Sequence, residues 1–109
     1  MARYEFRSFK VTVTTAGTPV PLVAPGSDEI RVSDFEIYIP SSNTGAAVYV
    51  GYEGFSKTNW MPRPKGNFFN FRLGAGHPLR EGEFFSFQNT YLDSDSNGDV
   101  AYISYFVQV

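Results

Sequence analysis

AAVYVGYEGFSKTN, residues 46 to 59, is the stretch whose reading decides the fold. It opens with period-two alternation, Ala46, Val48 and Val50 on one face and Tyr49 on the other, which is the pattern of a half-buried strand. Gly51 marks the end of the pleat. With Gly54 it lets the chain turn sharply, since glycine has no Cβ to clash at positive φ, and the turn is expected to bring Tyr52, Phe55 and Trp60 near one another.

Strands are favoured on both sides of this stretch. Aromatic residues make up 17% of the 109-residue chain, dominated by eleven Phe and seven Tyr. Such residues and their β-branched neighbours favour pleated sheet, good helix formers are sparse, and no window of helical length carries a 3.6-residue apolar period. An all-β protein is expected.

Upstream, residues 1–8 carry charges at Arg3, Glu5 and Arg7 around Tyr4 and Phe6, and are expected to be an N-terminal arm with aromatic anchors. Phe9, Val11 and Val13 then alternate with Lys10, Thr12 and Thr14 as a first strand with one wet face. Pro19 and Pro21 withhold ladder donors, which restricts Pro19–Val23 to a sheet edge or an extended crossing. Ile30 and Val32 lie on one parity and Phe35, Ile37 and Ile39 on the other. A β-bulge near Ser33-Asp34 would turn all five to the core.

Downstream, Pro62 and Pro64 argue for a loop over Met61–Gly66. Strands are expected over Asn67–Leu73, Glu83–Gln88 and Val100–Val109. Alternation puts Phe69, Phe71 and Leu73 on one face and Phe68 on the other, and separates Phe85 and Phe87 from Phe84 in the same way. Something must then cover Phe68 and Phe84: aromatic patches of that kind usually mark protein contact, the alternative being that the long Gly74–Gly82 loop folds over the sheet. About eight strands with turn signals between them predict a single antiparallel β-sandwich or jelly roll over residues 9–109, a closed barrel being the competing architecture.

Composition narrows the function. A formal charge of −2 with both signs scattered gives no basic stripe for nucleic acid and no cationic face for a membrane. Cysteine is absent, which removes disulfides and thiolate metal sites. The apolar runs are too short to span a bilayer or to form the core of a secretory signal, so the chain is expected to be made as a soluble protein. His77, the one histidine, sits between Gly76 and Pro78 in an expected loop, and no nucleophile elbow accompanies it. Glu81 and Glu83 share one turn and do not form an acid/base pair. No enzyme and no cofactor are expected.

Asp93-Ser94-Asp95-Ser96-Asn97-Gly98-Asp99 has the opening spacing of an EF-hand loop, which makes Asp93, Asp95 and Asn97 candidate metal ligands. The twelfth position, however, is Ser104 rather than a glutamate, and no helix flanks the run. The favoured reading is an Asx-rich hairpin turning at Asn97-Gly98.

The run VTVTTAGTPVPL, a polar loop with Asn43-Thr44-Gly45, then VYVGYEGFSKTN, a proline- and glycine-bearing turn and the closing Asn97-Gly98-Asp99-Val100 together resemble small β-sandwich virion proteins of tailed bacteriophages. The resemblance covers about Phe9 to Val109 and departs from the pattern at Pro62–Gly66 and in the phenylalanine-rich Phe68–Phe87 region. It implies a capsid decoration or cement protein, assembled in the host cytoplasm, that binds the major capsid protein on the outside of the head as a homo-oligomer, a trimer above all. Candidate interface residues are Tyr4, Phe6, Tyr52, Phe55, Trp60, Phe68 and Phe84. The alternative is a glycan-binding or adaptor module of a phage neck, tail or fibre, with Tyr49, Tyr52, Phe55 or Trp60 stacking on a sugar.

Overall fold

Alternating apolar and polar residues produce strands wherever the expectation placed them most firmly, and several more besides. The structure is a computed structural model that describes residues 3–23, 29–52, 62–72 and 85–108. In chain order the strands are β1 Tyr4–Val13, β2 Val20–Pro21, β3 Arg31–Val32, β4 Asp34–Ile39, β5 Ala47–Tyr52, β6 Arg63–Pro64, β7 Asn67–Arg72, β8 Phe85–Ser86, β9 Thr90–Ser94 and β10 Asp99–Gln108. Among the described residues there is no helix, and so none long and apolar enough to cross a membrane.

All strand pairs are antiparallel. They form a four-stranded sheet in the order β1-β10-β4-β7, a second in the order β2-β9-β5-β6, and a separate pair β3-β8. The fold is all-β and sandwich-like, with ten strands in three sheets where about eight in two were expected. Buried side chains from the two large sheets meet in one core, with Val11, Val13, Ile37, Ile39 and Ile103 on one side and Val48 and Leu92 on the other.

One end of that core is aromatic. Phe87, fully buried, meets Phe35 and Tyr105 edge-on at 5.1 and 5.2 Å between ring centroids, and Phe35 stacks on Phe71 at 5.1 Å. Arg63 on β6 lies over the rings of Phe69 and Phe71 at 5.3 and 5.2 Å, a cation–π contact that closes the side of the sandwich.

Five expectations are corrected. The arm over residues 1–8 does not stand apart, because Tyr4 to Ser8 belong to β1 and pair with Gln108 to Ser104. The bulge at Ser33-Asp34 is a break at Ser33, where the chain leaves the β3-β8 pair and enters the large sheet; all five apolar residues still reach the core. Arg63–Pro64 is strand rather than loop, tolerated because β6 is an edge. Ala47 rather than Ala46 is buried at the start of β5. Asn97-Gly98 does not turn a hairpin, since β9 and β10 lie in different sheets and the turn carries the chain between them.

Candidate functional site

Strand alternation leaves the outer face of the β1-β10-β4-β7 sheet to the even-numbered residues. Across its middle, register sets Lys10 opposite Tyr102, Tyr102 opposite Tyr38, and Tyr38 opposite Phe68. The Tyr38 ring packs on Phe68 at 4.7 Å and stacks near Tyr102 at 6.3 Å between centroids. Two residues further along β1 and β10, Ser8 faces Ser104, which faces Glu36, which faces Asn70. Beyond this polar row, Phe6 meets Phe106 edge-on at 5.3 Å.

The face is therefore aromatic, polar, aromatic in successive rows. Phe68 is 66% exposed, Phe6 61%, Phe106 62% and Tyr4 62%, all far above what a structural aromatic needs. Between the rows lies a shallow notch of about 50 Å³ bordered by Phe6, Phe106, Asp34, Glu36, Asn70 and Ser104. Rings packed edge-on or offset hold one another in place, so the face is ordered before anything binds to it.

Of the seven residues expected at an interface, the structure brings Tyr4, Phe6 and Phe68 to this one face. Phe55, Trp60 and Phe84 lie outside the described residues, as does the side chain of Tyr52; His77, Glu81 and Glu83 do too. Tyr38, Tyr102 and Phe106 belong to the same face and were not anticipated. Their signal was available in alternation: Ile37 and Ile39 bracket Tyr38, and Ile103 and Tyr105 point inward while Tyr102 and Phe106 point out.

The acidic run serves a different purpose. Asp93 Oδ1 accepts the N–H groups of Gly17 at 2.9 Å and Ser94 at 2.8 Å, and Asn97 Oδ1 accepts that of Ala16 at 2.8 Å. Asp99 takes the N–H of Thr44 on Oδ1 at 2.9 Å and that of Gly45 on Oδ2 at 3.0 Å. Asn43 closes the ring by exchanging two bonds with the Val100 backbone, at 2.8 and 3.0 Å. Three connections, 15–18, 43–45 and 95–98, are thus tied together by side chains acting as acceptors for backbone donors that would otherwise be orphaned.

Asp93 and Asp99 are buried, and their hydrogen bonds to N–H groups stand in for the water they have lost. Asp93 and Asn97 both accept from the Ala16-Gly17 turn, whereas Asp95 receives the Tyr49 hydroxyl at 3.1 Å. Burial pushes the Tyr49 phenol above the ordinary tyrosine range, and the Asp95 carboxylate adds to the shift. Among the described residues no group of three acidic or histidine side chains is placed to hold a metal ion.

A second cavity, about 220 Å³ and apolar, opens between the sheets beside Phe35, Val50, Phe71 and Phe85. No protein-family model and no curated protein matches the chain.

Proposed function

We propose that this protein is a non-catalytic structural component of a bacteriophage particle, a decoration or cement protein that docks on the major capsid lattice from outside and strengthens the head. The reading rests on the resemblance of the VYVG and Asn97-Gly98-Asp99-Val100 segments. The observation that carries it furthest is the outer face of the β1-β10-β4-β7 sheet, where Phe68, Tyr38, Tyr102, Phe6 and Phe106 are set out together with no role in the core. Exposed aromatics grouped in rows on one sheet face are the composition of an interface centre, where large rigid side chains contribute most of the affinity.

The architecture agrees with this reading. Setting the β3-β8 pair aside, we take the eight remaining strands as a jelly roll, with 1-10-4-7 facing 2-9-5-6, an arrangement that recurs in viral capsid and lectin domains. Fold leaves the role open, so the face must decide it. In the Asp93–Asp99 run, Asp93 and Asp99 are occupied with backbone donors and Asp95 with the Tyr49 hydroxyl. Cement action needs only binding, because added contact across a capsomer junction raises the cost of separating subunits. Self-association is part of the same reading, although the trimer comes from the resemblance alone.

A second reading, glycan binding by a neck, tail or fibre module, is favoured by one feature of the same face. The Tyr38, Phe68 and Tyr102 rings lie beside Glu36, Asn70 and Ser104, which is a stacking surface next to hydroxyl-binding groups. Particles assembled without the protein, then supplied with wild type or Phe68→Asp, separate the two readings. Cement function predicts uptake in hundreds of copies per particle, increased resistance of the head to heat, and loss of both with the variant. Uptake of only a few copies, with no change in head strength, would contradict it and favour the glycan reading.

A further inference from the structure

β1 lies at the margin of its sheet. β10 pairs with it along its whole length, and among the described residues no strand pairs with its other edge. An open edge of this kind presents a row of backbone donors and acceptors to any extended chain that can match it.

The N-terminal half of β1 has a further need for a neighbour. β10 has its last β4 partner at Ser104, opposite Glu36, so Tyr4 to Arg7 with Tyr105 to Gln108 run on as a two-stranded ribbon. Tyr4, Glu5, Phe6, Arg7 and Ser8 are all exposed. The inner face of this ribbon is held by Tyr105 and Val107 packing on the core, while its outer edge stays open to a third strand, which would stabilise it further.

We propose that β1 pairs with β1 of a second copy of this chain, antiparallel, about a two-fold axis at Phe6. The charges of the strand select this register. Residues directly opposite in a continuous sheet point to the same face, so even-numbered positions must meet even-numbered ones. Centring on Glu5 would oppose two glutamates, and centring on Arg7 would oppose two arginines. Centring on Ser8 would set Glu5 against Val11 and Arg7 against Phe9.

With Phe6 on the axis, each Glu5 faces the partner's Arg7 and each Tyr4 faces the partner's Ser8. The Glu5–Arg7 pair, at 3.0 Å within one chain, becomes part of a four-charge cluster of alternating sign. Inward-facing charges on an edge strand normally discourage pairing. Here the same charges disfavour the registers centred on Glu5, Arg7 and Ser8, and the one centred on Tyr4, which would set Arg3 against Glu5, reaches outside β1. On the opposite face the Phe6–Phe106 contact continues across the axis into its symmetry copy, forming a row of four phenylalanines in one eight-stranded sheet.

Sedimentation equilibrium of the full chain tests the pairing without reference to particle binding. Wild type is expected to be a dimer, in place of the trimer that the resemblance implies. Glu5→Arg leaves only positive charge at positions 5 and 7, and Arg7→Glu only negative, so each is expected to dimerise about tenfold more weakly or worse. An equimolar mixture of the two variants should recover a dimer, because each then faces its complement. The double variant Glu5→Arg with Arg7→Glu should dimerise as wild type, which keeps the experiment decisive if either single change disturbs the ribbon. A wild type that is monomeric or trimeric, single variants that dimerise normally, or a mixture and double variant that both stay monomeric would overturn the proposal.

Discussion

Asp99 and Gly45 depend on each other at atomic distance. A Cβ built on Gly45 would come within 2.6 Å of Asp99 Oδ2, so Gly45→Ala must push the carboxylate away from the two N–H groups it accepts. Asp99→Ala removes the acceptor and leaves the Thr44 and Gly45 donors unsatisfied in a part-buried site. Each change is expected to destabilise the fold by about 2 to 4 kcal/mol, measured by denaturant unfolding. A loss below about 0.5 kcal/mol for either would mean that water replaces the carboxylate at no cost. The same bonds predict that calcium and chelators leave the melting temperature unchanged, because Asp93 and Asp99 already hold protein donors. A rise of several degrees with calcium would overturn that account.

Tyr49 supplies the pH-dependent expectation at this scale. Its folded pKa is raised, first by burial and then by Asp95, so the neutral phenol is the form the fold favours. Its contribution to stability is therefore complete below the unfolded tyrosine pKa of about 10 and lost as pH rises through the folded value. Ultraviolet titration should show the Tyr49 phenol ionising late, and Asp95→Asn should bring it part of the way back. An unchanged titration in that variant would remove Asp95 as a cause.

At the scale of elements, the two faces of one strand predict opposite mutant behaviour. Phe69 packs against the core while Phe68, its neighbour on β7, is mostly exposed. Ile37 on β4 is fully buried, so Ile37→Ala should cost about 2 to 5 kcal/mol, while Phe68→Asp should change stability by less than about 0.5 kcal/mol. Thermal melting of the two variants side by side checks this. Equal losses would place Phe68 in the core.

These strand faces were legible in the sequence because alternation is a local property. Val11 and Val13, Ile37 and Ile39, and Phe69 and Phe71 all face where their parity puts them. What remained hidden is the choice of partner strand. Tyr4 to Ser8 look like a polar arm until they are set against Ser104 to Gln108, at the far end of the chain. Asn97-Gly98 has the chemistry of a hairpin turn, yet its flanking strands belong to different sheets, and turn residues carry no information about that. β9 was missed because the turn at Phe87–Asn89 has no glycine or proline to announce it, so Thr90–Ser94 read as part of a connection. The candidate face was half legible for the same reason: parity put Phe68 outside, but only cross-strand register sets it beside Tyr38 and Tyr102.

At the scale of the whole molecule, the protein presents two distinct surfaces, an aromatic sheet face and an open strand edge, and they lead to different partners. On the readings proposed above, the face would meet a capsid shell and the edge a second copy of the same strand. Circular dichroism of the isolated chain is expected to be dominated by β-structure, and a substantial helical signal would contradict the fold itself.

On the proposed function, the outer face of the β1-β10-β4-β7 sheet binds the particle. The most direct test measures the occupancy of purified particles by the Phe68→Asp protein together with its melting temperature. Occupancy is expected to collapse while melting stays at the wild-type value. Full occupancy by a normally folded variant would contradict it.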